Sequence, residues 1–203
     1  MQIDFTSLPV PDAYALMTTS IMPRPIAWVS TISPEGRTNL APFSFFQGVT
    51  ANPPTLLIVP VNLRDGRKKD TARNIEQTGE FVVNVVPYAL AEQMNATAAL
   101  LPSEESEFET FGIAQAPSTR VRPPRVAATP IAFECTVHTI VQVGDGPLAA
   151  SVVIGRIQYA HIADGVLGPD GRPDPGKLDL VGRLGGELYS RTTERFAIKR
   201  PDR

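Results

Sequence analysis

The chain has 203 residues, 42% hydrophobic and 20% charged, enough for one large domain or two small ones and too apolar for wholesale disorder. Nineteen basic against 21 acidic residues leave a net charge of −2, so there is no global basic field for a nucleic-acid partner. No apolar run approaches the roughly 18 residues that cross a membrane and no basic-then-apolar leader opens the chain, so a soluble, cytoplasmic protein is expected. Twenty prolines and 15 glycines far exceed the usual share of about 12%. A chain so punctuated by turns favours short strands over long helices.

In chain order, Ile26 to Ile32 is apolar and β-branched and runs into turn chemistry at Ser33 to Arg37. Asn39 to Thr50 follows, with Phe43, Phe45 and Phe46 close together, until Asn52-Pro53-Pro54 breaks it. Thr55 to Val61 and Phe81 to Val86 are continuous apolar runs of strand length. Between them, Asp70 to Gly79 reads as a short helix with Asp70 as N-cap and a C-terminal glycine. Tyr88 to Ala99, alanine-rich and without internal Pro or Gly, is a second helix candidate.

Ile131 to Val143 has the clearest alternation. Ile131, Phe133, Cys135, Val137, Val141 and Val143 fall on one face, with Glu134, Thr136, His138 and Gln142 on the other, as in a half-buried strand. Gly144 to Pro147 turns it into the apolar run Leu148 to Ile162, so a hairpin is expected. Asp164 to Lys177 is a polar Gly/Pro loop. No repeat or long linker divides the chain, and many short strands with a few short helices imply a single mainly β barrel domain over 1–203.

The chemistry-bearing motifs are few. The lone Cys135 excludes an intrachain disulfide and a cysteine-based zinc cluster, and two histidines make a poor metal site, so no metal is expected. Gly144-Asp-Gly-Pro-Leu-Ala149 formally fits a relaxed dinucleotide fingerprint, but strand material follows where a helix is required. Asn95-Ala-Thr97 matches a glycosylation acceptor that means little without a secretory leader. The acidic run Glu104 to Glu109 reads as a solvated loop or helix start. Arg64 to Arg73 is more informative, with five positive and two negative charges at the start of the expected helix. Free N–H groups there, with Lys68, Lys69 and Thr71, form a candidate phosphate site, against the alternative of a solvated basic loop. Asn39, Leu40, Ala41, Pro42, Phe43, Ser44 and Phe45 suit either the edge of a flat heteroaromatic ligand or an ordinary core strand.

The order of these pieces is itself a signature. Arg24 to Thr31, then Gly36 to Ser44, then Lys69-Asp-Thr71 with Asn74, then Gly79 to Asn84, and late Arg183-Leu-Gly-Gly186 with Tyr189, resembles the flavin reductase-like family, in particular its flavoredoxin-type branch. The resemblance spans about residues 10–195 and implies an FMN-binding split β-barrel, with the flavin at a homodimer interface. It places Asn39 to Phe45 beside the isoalloxazine, with Ser44 near its polar edge. Lys69 and Thr71 would hold the phosphate, with Asn74 and Arg24 nearby; the motif favours Lys69 over Lys68. Arg183 and Tyr189 would help close the pocket, and the segment from about 164 to 203 would pack over the flavin groove or the dimer partner. His161 would face the nicotinamide side of the flavin as the catalytic residue, or else be a half-exposed strand histidine. His138, on the polar face, and Cys135, on the apolar one, are expected to be structural.

The implied activity is hydride transfer from NADH or NADPH to flavin, with reduced flavin kept or passed to a partner oxygenase or redox protein. One alternative is an FMN-bearing electron carrier without steady-state reductase activity. Another is a split-barrel binding module that has lost its flavin.

Overall fold

The computed structural model describes residues 1–201, so the last two residues of the expected domain lie outside the described residues. Helix α1 (Val10–Ser20) opens the chain, with proline in its first turn. Strands β1 (Arg24–Pro25), β2 (Ala27–Ile32), β3 (Thr38–Phe43), β4 (Phe46–Ala51) and β5 (Pro54–Ile58) follow. Helix α2 (Asp70–Thr78) leads into β6 (Glu80–Val85); Gly79 ends the helix at φ +71°, a conformation that favours glycine. Then come α3 (Ala91–Ala96), α4 (Glu107–Thr110), β7 (Gln115–Ala116) and β8 (Arg125–Val126). The long hairpin β9 (Ile131–Val143) and β10 (Ala150–Ile162) precedes α5 (Pro175–Leu178), β11 (Val181–Arg183) and β12 (Tyr189–Arg191).

Seven strands form an antiparallel sheet in the order β3-β2-β6-β9-β10-β5-β4. Its two edge strands, β3 and β4, are consecutive in the chain and separated only by Ser44 and Phe45. A link that short spans at most about 11 Å, so the sheet must curl until its edges nearly meet. No ladder joins them, and the expected barrel is therefore a curled, unclosed sheet. Inside the curl pack Ala27, Val29, Phe43, Leu56, Ile58, Phe81, Val83, Cys135 and Val153, with Ile75 of α2. Gly155 lets Phe81 lie against β10, because a Cβ there would sit 2.3 Å from Phe81 Cζ. A second core lies on the other face, where Ile26, Trp28 and Leu40 meet Val86, Met94, Phe108, Val126 and Val181. Strand β2 feeds both cores by alternation, which explains its continuous apolar sequence.

Four local expectations change. Asp70 is the first helical residue of α2, and Lys69 takes the N-cap position. The Tyr88–Ala99 candidate is a 3₁₀ turn at Tyr88–Leu90 followed by the shorter α3. Glu134, placed on the polar face of β9, is fully buried, because residues 119–121 fold over it and donate three backbone N–H bonds to its carboxylate. The pairing with β10 also slips at His138, and beyond that bulge Val141 and Val143 are exposed.

Candidate functional site

A tight turn closes residues 63–67, with Leu63 N–H bonded to the Arg67 carbonyl at 2.8 Å, and delivers the chain to the start of α2. No side chain caps that helix, so the N–H groups of its first turn stay available. The Asp70 carboxylate does not compete for them, being bound by the Arg73 guanidinium and by the Ser103 hydroxyl at 3.1 Å.

The two candidate lysines part company here. Lys68 turns outward to Glu76, Nζ to Oε1 2.5 Å. Lys69 turns inward, its ammonium 5.5 Å from the centroid of the Phe43 ring, and no described carboxylate pairs with it. Burial pushes its pKa below the ordinary lysine value. A half-buried cation without a described counter-ion beside uncapped helix N–H groups is an arrangement that can accept an anion.

Around it, Asn39 on β3 donates its amide N–H to the buried Thr71 hydroxyl at 3.0 Å. Glu107, from the acidic run read as solvated, is buried and accepts the Leu40 N–H at 2.8 Å. Burial raises the Glu107 pKa, with the Leu40 hydrogen bond opposing. Asn39, Ala41, Pro42, Lys69, Thr71 and Glu107 line a cavity of about 140 Å³. Pro42, Leu63, Arg67 and Lys69 also border a wider cleft of about 600 Å³ that continues along Phe43, Ser44 and Phe45 to Val59, Val61 and Leu148. Tyr14 of α1 reaches this cleft and meets Phe45 edge to face, ring centroids 6.4 Å apart. The result is a narrow cationic end opening into a broad, mostly apolar one, sized for a small planar ligand that carries an anion.

Other expected residues lie apart. Leu40 is buried in the second core beside Trp28. Asn74 is also buried and donates to Thr31 Oγ1 at 3.0 Å. Arg24 is a clamp: its guanidinium donates to the carbonyls of Thr18, Ile21 and Leu184 and to Ser44 Oγ. Arg24 thus steadies the Ser44 corner, and its hydrogen bonds point it at backbone instead of the Lys69 cavity. Arg183 stacks on Tyr189 at 4.5 Å, and the Tyr189 hydroxyl donates to Asn95 Oδ1 at 2.9 Å. Strand β11 pairs with β1 and β12 pairs with β11; no residue beyond Leu148 borders the Lys69 cavities, and the 164–201 segment does not cover them within the chain.

His161 is the largest displacement. It lies at the far end of β10 from Leu148, on the order of 35 Å along an extended strand. Its Nε2 donates to Glu134 Oε1 at 2.5 Å, so within one chain it does not face the Lys69 cleft. Sequence reading also missed Tyr14 and Glu107. Pro11 and Asp12 at the start of α1 are a helix-start signal that would have located Tyr14; nothing in the acidic run marks Glu107 as buried.

Residues 18–176 match the family described as the flavin reductase like domain, a span that contains the whole cleft except Tyr14 and stops before Arg183 and Tyr189. Among solved structures, nitrilotriacetate monooxygenase component B from Bacillus cereus is 35% identical and superposes with a TM-score of 0.92 over 98% of each chain. The 2-nitrobenzoate 2-nitroreductase of Pseudomonas fluorescens is 33% identical, with a TM-score of 0.89 over 99% of this chain and 96% of that one. Flavoredoxin of Desulfovibrio vulgaris (Miyazaki F), 22% identical with a TM-score of 0.75 over 98% and 97%, shares the fold. On its residues and its architecture alike, the chain belongs to the flavin reductase-like family.

Proposed function

We propose that this protein is an FMN-dependent oxidoreductase, a flavin reductase that takes hydride from NADH or NADPH and works as a homodimer of split-barrel subunits. The observation that carries the reading is the Lys69 ammonium, half-buried and unpaired at an uncapped helix N-terminus beside Asn39 and Thr71. These residues fit FMN. Lys69, the Thr71 hydroxyl and the first N–H groups of α2 would hold the phosphate, and the Phe43–Phe45 corner with Tyr14 would border the flat ring. Bound there, FMN supplies the hydride-accepting chemistry that no side chain of the cleft can provide. The chain's own task is positioning. Arg24 fixes Ser44, and Glu107 fixes the Leu40 backbone next to Asn39. Within one chain His161 lies outside this cleft.

Membership in the family supports a flavin, and the monooxygenase component and nitroreductase among the similar structures support an oxidoreductase role. The oxygenase relative also makes a partner oxygenase or other redox protein a fitting destination for reduced flavin. The dimer reading rests on α1, where Val10, Tyr14 and Met17, with Ile21 just past the helix end, leave an exposed apolar stripe at helical spacing. Tyr14 ties that stripe to the mouth of the cleft, so a second subunit seated there would cover both. A cytoplasmic site of action agrees with this scheme, and no helix is long and apolar enough to cross a membrane among the described residues.

The test is the visible spectrum of the purified protein with FMN, before and after NADH or NADPH. Bound flavin that is bleached by one nucleotide in steady state is the expected outcome, at twice the chain mass by light scattering. Failure to bind FMN overturns the reading; binding without bleaching by either nucleotide makes the protein an electron carrier.

A further inference from the structure

At the opposite end of β10 from the Lys69 cleft lies a second cavity, of about 380 Å³, bordered by Arg125, Thr129, Pro130, Tyr159, His161 and Ile162. Its most telling atom is Arg125 Nε, which is buried and has no hydrogen-bond partner among the described residues. No described carboxylate pairs with that guanidinium either. Buried donors in folded proteins are almost always satisfied, so an orphan guanidinium N–H at a cavity asks for an acceptor that the chain itself does not supply.

The cavity is built, in the sense that its walls are held by buried polar groups. The Pro124 carbonyl just before Arg125 accepts the Ser30 hydroxyl, and the Val126 N–H just after it donates to Asn84 Oδ1 at 2.9 Å. Both Ser30 and Asn84 are fully buried. On the facing wall, Glu134 accepts backbone N–H groups from Thr119, Arg120 and Val121 and fixes the His161 ring through Nε2. Tyr159, two residues before His161 on the same face of β10, sets its ring 5.0 Å from the imidazole at a 59° tilt. Together, the two rings form an aromatic corner beside one unpaired guanidinium.

We propose that this cleft is a second ligand site, which binds a small aromatic carboxylate. The planar fork of Arg125 matches a carboxylate, and the flat body of the ligand lies against Tyr159 and His161, beside Pro130 and Ile162. A phosphate would satisfy the charge but leave the aromatic corner unused. Within one chain the site shares no residue with the Lys69 cavities.

The chain has two histidines, which makes the test direct. Benzoate is titrated into the full-length protein, with and without FMN, and followed by the imidazole C–H resonances. His161 should shift saturably, while His138, exposed farther along the hairpin, should stay fixed. Arg125→Gln should weaken benzoate roughly ten- to hundredfold, the effect of losing a charge-assisted hydrogen bond, and Arg125→Lys should restore only part of it. Tyr159→Ala, at an exposed position that does not threaten the fold, should weaken it less. Absence of a His161 shift at tens of millimolar benzoate would overturn the proposal. So would undiminished binding by a folded Arg125→Gln variant, or inorganic phosphate shifting His161 as strongly as benzoate does.

Discussion

The start of α2 and the His161 end of β10 each bring ionisable side chains out of water, and they do so in opposite ways. At Glu134 the buried charge is completely answered: three backbone N–H groups and His161 surround one carboxylate. Burial alone would raise the Glu134 pKa, but the bonds from Thr119, His161 and Arg120 outweigh it and hold the carboxyl below its ordinary value. At Lys69 the charge is left unanswered, and burial lowers the pKa unopposed. A satisfied buried charge organises the fold around itself, whereas an unsatisfied one at a cavity is held ready for a ligand. That contrast separates a structural ion pair from a binding residue more reliably than residue type does.

The largest effect should come from Glu134→Ala. Removing the carboxylate strands three N–H donors and an imidazole in the interior, at a cost of about 3–5 kcal/mol in urea unfolding. The same pair sets an acid limb. Because the folded pKa of Glu134 is depressed, its stabilisation is fully present above its ordinary value of 4.5 and is lost as pH falls through the lower folded value. Stability of the Glu134→Ala variant should therefore fall less steeply with acid than that of the wild type; parallel acid limbs would mean the carboxylate is not the organising charge.

Next in size is Lys69→Ala, measured with two flavins. FMN should bind roughly ten- to hundredfold more weakly, as expected for one charge-assisted hydrogen bond, while riboflavin, which lacks the phosphate, should change little. Equal losses for both ligands would show damage to the fold and would erase the contrast with Glu134.

Smallest of all is a high-pH signature of Lys69. The folded pKa of Lys69 is lowered, so in the ligand-free chain its penalty is full below that value. The penalty disappears as pH rises toward the ordinary lysine value of 10.5. Lys69→Met should remove the penalty, so its stability advantage over wild type shrinks across that window. An advantage that does not change with pH would place the ammonium in water.

Much of this was legible from residue order. The β9–β10 hairpin and the α2 helix with its Gly79 stop both follow from local rules: alternation, turn chemistry and helix-end residues.

What the chain could not announce is which polar groups meet across it. Lys68 and Lys69 are neighbours of the same type, and only the distant Glu76 and Phe43 assign one to solvent and the other to the cleft. Glu107 and Glu134 look like surface carboxylates until Leu40 and residues 119–121 arrive from elsewhere to bury them. Arg24 reads as a residue near the phosphate, and carbonyls up to 160 positions away bind its guanidinium. Local sequence determines backbone form because strands, turns and caps depend on neighbours a few residues apart. The partner of a buried charge is set by long-range packing, and so only the tertiary structure decided where His161 and Lys69 stand.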